Sequence, residues 1–386
     1  METNLKKDIY EWDDLHLNEN VLRGIYAYGF EKPSPIQREA ILPIINGKDL
    51  IAQAQSGSGK TGSFSISILQ KIDPELHETQ ALVLSPTREL ANQSKTVLQD
   101  IGRNIPKLNV KTFVGGTPVR DDIRILKSRS PPHVILGTIG RIVDMLEKGF
   151  IKGHTIKLLV IDEADQMLSR GFDEAIRHMF EKYFTEELQV VLFSATMPPE
   201  VLSITHKFMN NPESILVKRE ELSLKCIQQY YVAVMDDRMK YNTIKDLFSA
   251  ISVSKCIIYC NTVNRVIELH DSMKQDGYSI CCIHSNMDKN ERNNILDTFR
   301  HGDNRILISS DITSRGIDIQ QVSTVVNFDL TRNVHTYLHR IGRGGRWGRK
   351  GVAINLITKR DVPDIRNIEH HYQIEIQELP MNFSGM

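Results

Sequence analysis

Short apolar runs recur along the chain, each separated from the next by a segment long enough for a helix. In the first half, five runs predict buried parallel strands at Asp49–Ala54, Ala81–Ser85, His133–Gly137, Leu158–Ile161 and Val190–Ser194. In the second half, five more lie at Cys256–Cys260, Ser279–Ile283, Arg305–Ser309, Thr324–Phe328 and Val352–Ile357. Helix-length segments such as Thr262–Gln275 alternate with these runs. The pattern predicts an α/β fold with a parallel sheet, built twice.

The chain has 386 residues, which is more than one ordinary hydrophobic core supports. A charged stretch at 218–225 has no apolar period and predicts a linker. We therefore expect a first domain at 1–217, the linker at 218–225 and a second domain at 226–386.

Composition narrows the class of protein. Lysine and arginine total 48 and aspartate and glutamate total 48, so a global basic excess is absent and any nucleic-acid contact must come from local patches. One basic patch is visible at 340–350. No apolar run approaches the roughly 20 residues of a membrane span, and the polar first twelve residues do not resemble a secretory signal. Five cysteines without paired spacing indicate neither a disulfide framework nor a zinc site.

The strongest chemical signal is the glycine-rich segment that follows the first predicted strand and precedes a helical pattern. Such a loop folds tightly, so that its amides and a helix N-terminus point at phosphates. Its lysine, Lys60, is expected to reach the β and γ phosphates of a nucleotide, and the hydroxyl of Thr61 to hold Mg²⁺. The strict pattern begins with glycine, so an ordinary glycine-rich turn is the alternative. The nucleotide-binding residues predicted here are Ala54, Gln55, Ser56, Gly57, Ser58, Gly59, Lys60 and Thr61.

A run of acidic residues, Asp162-Glu163-Ala164-Asp165, directly follows the strand at Leu158–Ile161. The carboxyl ends of parallel strands share one edge of the sheet, so these carboxylates should lie near the phosphate loop. Asp162 is then the second Mg²⁺ ligand, and Glu163 orients or deprotonates the attacking water. The alternative is an acidic helix start, which is common.

Three arginines separated by small residues lie in the segment His339–Arg346. With a phosphate loop present, Arg343 and Arg346 are interpreted as arginine fingers that stabilise charge on the γ phosphate. A bare basic surface for nucleic acid is the alternative.

Taken together, these motifs resemble those of the DEAD-box RNA helicases, from Trp12 to about Asn382. Asp162 to Asp165 match the family signature. The resemblance implies two RecA-like domains of the P-loop NTPase, superfamily 2 helicase type. It also implies ATP and Mg²⁺ as cofactors, RNA-stimulated ATP hydrolysis and local, non-processive unwinding. ATP and RNA are each expected to touch both domains and to favour a closed state.

The resemblance also carries roles onto individual residues. Adenine and ATP contacts fall on Trp12, Phe30, Gln37 and Asp318. Contacts with RNA phosphates and sugars, without sequence preference, fall on Arg88, Gly115, Gly116, Thr138, Arg141, Arg292 and Thr313. Coupling between hydrolysis and strand separation falls on Asp165, Ser194, Thr196, His339 and Arg340. The chain departs from the pattern at Ile139, where the family has proline, and at Lys289, where relatives have glutamine.

Within the family, segments such as Arg23–Phe30 and Gln320–Ser323 are most similar to the translation initiation factor 4A subfamily. This predicts a cytoplasmic monomer that acts on single-stranded and duplex RNA, mRNA in particular, with a protein scaffold of the initiation complex. Paralogues of the exon junction complex and of ribosomal RNA processing are the alternative, and they would imply a nuclear protein. An RNA clamp without turnover and a DNA-directed helicase are the competing classes.

Overall fold

The structure is a computed structural model that describes residues 9–54, 57–169, 171–197, 199–216, 227–250, 255–311, 322–342 and 351–380. The chain divides into two compact units, the first with Met1–Ala54 and Ser58–Val217 and the second with Lys218–Met386. The predicted linker at 218–225 lies outside the described residues, so the predicted domain boundaries stay a prediction.

The first unit is built on a seven-stranded sheet in which every pairing is parallel. Its strands are β1 (Leu50–Gln53), β2 (Ala81–Leu84), β3 (Val110–Phe113), β4 (Val134–Gly137), β5 (Leu158–Asp162), β6 (Gln189–Ser194) and β7 (Glu213–Leu216). They lie in the order β3-β4-β2-β5-β6-β1-β7. The central strands are therefore the apolar runs that the sequence predicts.

Helices cover both faces of this sheet. Because side chains alternate along a strand, Leu158 and Val160 of β5 enter one buried cluster while Leu159 and Ile161 enter the other. The helices are α1 (Glu19–Tyr28), α2 (Pro35–Ile45), α3 (Lys60–Lys71), α4 (Arg88–Ile101), α5 (Val119–Leu126), α6 (Ile139–Glu147), α7 (Ala164–Ser169), α8 (Asp173–Tyr183) and α9 (Pro199–Phe208). Short 3₁₀ turns lie at Trp12–Leu15, Gly102–Asn104 and Gly153–Thr155.

The second unit repeats the arrangement with another seven-stranded parallel sheet. Its strands are β8 (Ile227–Ala233), β9 (Cys256–Tyr259), β10 (Ile280–Ile283), β11 (Ile306–Ser309), β12 (Thr324–Asn327), β13 (Gly351–Ile357) and β14 (Gln377–Glu378). Their order is β10-β11-β9-β12-β13-β8-β14. Counted from the first strand of each unit, the two orders are identical, so each strand of one sheet has a counterpart in the other.

The helices of the second unit are α10 (Lys240–Ala250), α11 (Val263–Gln275), α12 (Lys289–His301), α13 (Val334–Ile341) and α14 (Val362–Tyr372), with a 3₁₀ turn at Asp237–Met239. Corresponding helices begin in the same way: the hydroxyl of Thr87 accepts the Leu90 amide at α4, and that of Thr262 accepts the Arg265 amide at α11. The predicted fold class, two RecA-like α/β domains, is confirmed. In the described part of the chain, no helix is both long and apolar enough to cross a bilayer.

Candidate active site

The glycine-rich loop connects β1 to α3, as the sequence predicts. The Ala54 amide donates to the Ser194 carbonyl at 3.0 Å, which fixes the start of the loop to the end of β6. Gly59 has φ +108°, in the left-handed region that favours glycine, and a Cβ there would lie 2.7 Å from Ser34 Oγ. Residue 59 therefore has to be glycine for two reasons. Gln55 and Ser56 of this loop lie outside the described residues.

The three residues predicted to read adenine pack beside this loop. Gln37 Nε2 donates to the Gly59 carbonyl at 3.4 Å, and Gln37 Oε1 accepts the amide at the start of α2 at 2.8 Å. Trp12 Nε1 donates to the Phe30 carbonyl at 3.1 Å, and the two rings stack with centroids 6.0 Å apart. A Cβ on Gly62 would approach Gln37 Nε2 to 2.6 Å and Phe30 to 3.1 Å. The group is thus seated directly on the first turn of α3, although adenine recognition itself stays a prediction.

Lys60 and the acidic run meet at the carboxyl edge of the sheet. Lys60 is the first residue of α3, and its Nζ lies 3.1 Å from Glu163 Oε1. Both side chains are about 95% buried, with exposed fractions of 6% and 4%. Burial, followed by the charge of Glu163, raises the pKa of the neighbouring Asp162 to about 7, while Lys60 acts in the opposite direction. A cation held against Asp162 would offset this cost, so the carboxylate fits a Mg²⁺ ligand.

Glu163 adopts φ +52°, which is uncommon for a residue with a Cβ. Its carbonyl accepts the amides of Gln166 and Met167, so Glu163 stands where the chain turns from β5 into α7. The turn directs the buried carboxylate to Lys60. Non-glycine residues in this conformation concentrate at functional sites.

Asp165 joins this edge to the segment after β6. Thr196 Oγ1 donates to Asp165 Oδ2 at 2.7 Å, and the Asp165 amide donates to Ser194 Oγ at 3.3 Å. All three residues are buried. The structure therefore brings together the three residues of the first unit that the resemblance assigns to coupling.

The predicted RNA-contacting residues of the first unit lie at the ends of β2, β3 and β4. The half-buried Arg88 guanidinium lies over the backbone of Gly115 and Gly116, so closely that a Cβ on Gly116 would collide with it. The Gly115 amide donates to Thr138 Oγ1 at 3.3 Å. Beside these residues, a cavity of about 400 Å³ is lined in part by Gly115, Thr138 and Arg141.

Arg141 is largely occupied by contacts within the protein. Its Nη1 pairs with Asp122 and donates to Thr117 Oγ1 at 3.1 Å, and its Nη2 donates to the Thr117 carbonyl at 2.7 Å. Burial raises the pKa of Asp122, and the contacts with Arg141 oppose that shift. This pairing could not be predicted from the sequence. The contacts of Arg141 with Asp122 and Thr117 hold the loop after Gly116 in position. A direct contact between Arg141 and RNA stays a prediction.

The departure at Ile139 has a structural setting. Ile139 is the first residue of α6, and its side chain is 99% buried in the core. The first helical position is also one that proline tolerates, because the amide there has no partner within the helix.

In the second unit, Arg340 is fully buried on α13. Its guanidinium donates to Asp311 Oδ1 at 2.6 Å, to the Asp329 carbonyl at 2.7 Å and to Asn261 Oδ1 at 2.7 Å. His339 beside it is also buried. The amide of Asn261 and the buried carboxylate of Asp329 were not predicted, since neither residue type stands out in a sequence.

The remaining predicted residues are placed only in part. Arg292 lies half-buried in the first turns of α12. Thr313, Asp318, Arg343 and Arg346 lie outside the described residues, and their roles stay predictions.

Comparison with known proteins decides the family. A model of the DEAD/DEAH box helicases matches residues 34–204, and a model of the helicase conserved C-terminal domain matches residues 239–348. The chain is 48% identical over 386 residues to the ATP-dependent RNA helicase eIF4A of Neurospora crassa, covering 100% of this chain and 96% of the relative. The chain belongs to the DEAD/DEAH box helicase family. A probable eukaryotic initiation factor 4A of Trypanosoma cruzi is 49% identical over 382 residues, covering 98% of this chain and 94% of that protein.

Solved structures of DEAD-box proteins agree with this assignment. Dbp5 of S. cerevisiae bound to RNA and ADP BeF3 matches with a TM-score of 0.88 at 33% identity, covering 97% of this chain and 96% of the other. The DEAD-box helicase Mss116 bound to single-stranded RNA and UDP-BeF matches with a TM-score of 0.84 at 27% identity, covering 95% and 79%. As a DEAD-box protein the chain binds ATP and RNA and is an ATP-hydrolysing enzyme.

Proposed function

We propose that this chain is an ATP-dependent RNA helicase of translation initiation, which couples ATP hydrolysis to local separation of RNA strands. The observation that carries the proposal is the buried pair between Lys60 and Glu163 at the carboxyl edge of the first sheet. The pair joins the lysine that we propose to bind phosphate and the proposed general base through a contact of 3.1 Å.

The chemistry follows from these residues. Lys60 exchanges Glu163 for the β and γ phosphates when ATP binds, which frees the Glu163 carboxylate to orient the attacking water and accept its proton. Thr61 and Asp162 are the residues that would hold Mg²⁺, which neutralises phosphate charge when bound. Gln37, Phe30 and Trp12 would hold the adenine.

Hydrolysis also needs the second unit. Arg343 and Arg346 are proposed to stabilise the charge that develops on the γ phosphate, an effect worth roughly 10³ to 10⁵ in rate for arginine fingers. Since Lys60 and these arginines belong to different units, turnover becomes conditional on their closure.

RNA is proposed to bind through its backbone. Arg88, the Gly115 and Gly116 amides and Thr138 lie after β2, β3 and β4 of the first sheet, and Arg292 lies after β10, the counterpart of β3. Thr313, which lies outside the described residues, is assigned the same role from its place in the sequence. Amides and guanidiniums of this kind recognise phosphate without reading base identity. The bonds among Asp165, Ser194 and Thr196 connect the acidic run to the segment after β6, and they are the proposed route by which hydrolysis and strand separation are coupled.

The relatives named eIF4A favour a role in initiation over the exon-junction and ribosomal RNA alternatives. The chain would then act on mRNA in the cytoplasm, bound to a scaffold protein of the initiation complex.

Three measurements test the proposal: strand separation, stimulation of ATPase activity by RNA compared with DNA, and rescue of translation initiation. An RNA duplex with a single-stranded extension should be separated in the presence of ATP by the wild-type chain but not by Lys60→Ala. Separation by the Lys60→Ala variant, or equal stimulation of ATPase activity by DNA and RNA, would contradict the helicase assignment. In a translation extract depleted of its own initiation factor 4A, the chain should restore initiation. Failure there with intact RNA unwinding would refute the initiation role alone.

A further inference from the structure

The second unit contains a counterpart of the nucleotide site. Because the two sheets have the same strand order, β8 corresponds to β1 and β12 corresponds to β5. In the first unit, the nucleotide residues follow β1 and β5. The equivalent positions in the second unit follow β8 and β12, and a cleft of about 790 Å³ opens there, lined among others by Asp237, Lys240, Asn261 and Asp329.

The correspondence extends to individual side chains. Lys240 is the first residue of the helix after β8, as Lys60 is of the helix after β1. Each lysine is at least 95% buried. Lys240 Nζ lies 3.5 Å from Asp329 Oδ1 and 3.1 Å from Asp237 Oδ1. Asp329 follows β12 as Glu163 follows β5, so both units pair a buried lysine with a carboxylate across the same two strand ends.

In the second site, carboxylates of the protein bind the loop amides and the lysine. The loop 234–239 lacks glycine, and Asp236 Oδ1 accepts the amides of Arg238 and Met239 at 2.9 and 3.2 Å. In a phosphate loop, amides of this kind point at the ligand. Here a carboxylate of the protein takes the place of the phosphate, and two aspartates hold the lysine.

A series of polar contacts connects Lys240 to the predicted catalytic segments. Asp329 Oδ2 accepts the Asn261 amide at 3.1 Å, and its carboxylate also pairs with Arg265. Burial alone would raise the pKa of Asp329, but the hydrogen bonds from Arg265 and Asn261 and the charge of Lys240 hold that pKa below its ordinary value. Arg340 then binds both the Asn261 side chain and the Asp329 carbonyl.

This series of contacts ends at Asp311, whose Oδ1 accepts a hydrogen bond from Arg340 Nε at 2.6 Å. Asp311 is the first residue of the segment Asp311–Asp318, and Arg340 lies three residues before Arg343, the first proposed arginine finger. The two functional segments of the second unit therefore each contain a residue of this network. We propose, as an inference that rests on the proposed function, that the second unit carries a copy of the nucleotide site whose lysine and loop amides are bound by carboxylates of the protein itself. In this copy, Lys240 and Asp329 are positioning residues for these two segments. The hydrogen bonds and ion pairs of this network hold protein segments in position, as the first site is proposed to hold ATP.

The test compares Lys240→Met with Lys245→Met. Lys245 lies on the same helix α10 and pairs with Asp276 at 3.1 Å on the surface, so its loss removes an ion pair outside the network. In Lys240→Met, Asp329 keeps its bonds from Arg265, so the variant is not left with an unpaired buried carboxylate. RNA-stimulated kcat should fall about tenfold in Lys240→Met while KM for ATP stays within about twofold. Lys240→Arg should restore most of the rate, and Lys245→Met should match the wild type.

Hydrogen–deuterium exchange supplies a readout that does not depend on activity. In Lys240→Met, amide exchange should rise in the peptides over 306–311 and 334–342 and stay unchanged in the first unit. Equal exchange and equal kcat in Lys240→Met and Lys245→Met would overturn the inference and leave the helicase proposal intact. A wild-type chain without RNA-stimulated turnover would instead refute the proposed function, and the exchange data would still decide the inference. If Lys240→Met does not fold, Lys240→Gln takes its place in both measurements.

Discussion

Replacing Glu163 with glutamine separates the two roles proposed for this side chain. Glu163 pairs with Lys60 at 3.1 Å, with both side chains almost fully buried, and in the proposed mechanism ATP takes Lys60 away from it. Hydrogen bonds to charged groups contribute about 1.5–3 kcal/mol. Glu163→Gln keeps the charged Lys60 donor but replaces the carboxylate with a neutral amide oxygen, so it should weaken the competing contact by about 1–2 kcal/mol.

That difference predicts a Kd for ATP lower by roughly fivefold to thirtyfold in Glu163→Gln. The same variant loses the proposed general base, so kcat should fall by about 10² to 10⁴. Affinity and rate thus move in opposite directions, which a general loss of structure would not produce. Calorimetric titration with ATP and steady-state ATPase assays with saturating RNA measure the two quantities.

The matched control is Glu187→Gln, which makes the same chemical change in the exposed pair between Lys157 and Glu187 at 3.2 Å. Exposed pairs contribute little, so neither Kd nor kcat should change. If Glu163→Gln hydrolyses ATP at the wild-type rate, Glu163 is not the base. If it binds ATP no more tightly than the wild type, the exchange of partners at Lys60 is wrong.

Thr196→Val removes the hydrogen-bond donor to Asp165 and should lower the free energy of unfolding by about 1–3 kcal/mol. The variant should also lose more strand-displacement activity than ATPase activity. An equal loss of both activities would contradict a coupling role for Thr196. Gly62→Ala places a methyl group against the side chains packed on α3 and should raise KM for ATP, whereas Gly140→Ala, with open space around its Cβ, should not. The pKa of Asp329 is lowered in the folded state, so the free energy of unfolding of the wild type should fall relative to that of Asp329→Asn as the pH falls from about 5 to about 3. Above that range, the free energies of unfolding of the two proteins should change with pH in parallel. A constant difference between them over the whole pH range would refute the stated charge environment.

Much of the fold could be predicted because the central strands are covered on both faces. Such strands read as continuous apolar runs, and all ten predicted runs are strands in the structure. The strands without a prediction are β3, β7, β8 and β14, which lie at or next to the sheet edges. β8 carries two glutamines and two tyrosines, and β7 begins with glutamate and serine. Polar side chains of this kind remove the apolar signal from a strand that is only partly covered.

The candidate site divides along similar lines. The phosphate loop and the acidic run could be predicted because their residues are adjacent in sequence, and the common edge of a parallel sheet brings the two groups together. The partners of Arg141 and Arg340 could not be predicted. Arg141 pairs with a residue 19 positions away and Arg340 with one 79 positions away, and a single aspartate or asparagine carries no signal of its own.

The most direct test of the central claim measures steady-state ATPase activity of the full-length chain with and without single-stranded RNA at saturating ATP. If closure of both units completes the catalytic site, RNA should raise kcat severalfold or more and lower KM for ATP, and Arg346→Ala should abolish the stimulated rate while leaving ATP binding in place. Turnover that is the same with and without RNA, or that survives Arg346→Ala, would contradict the account.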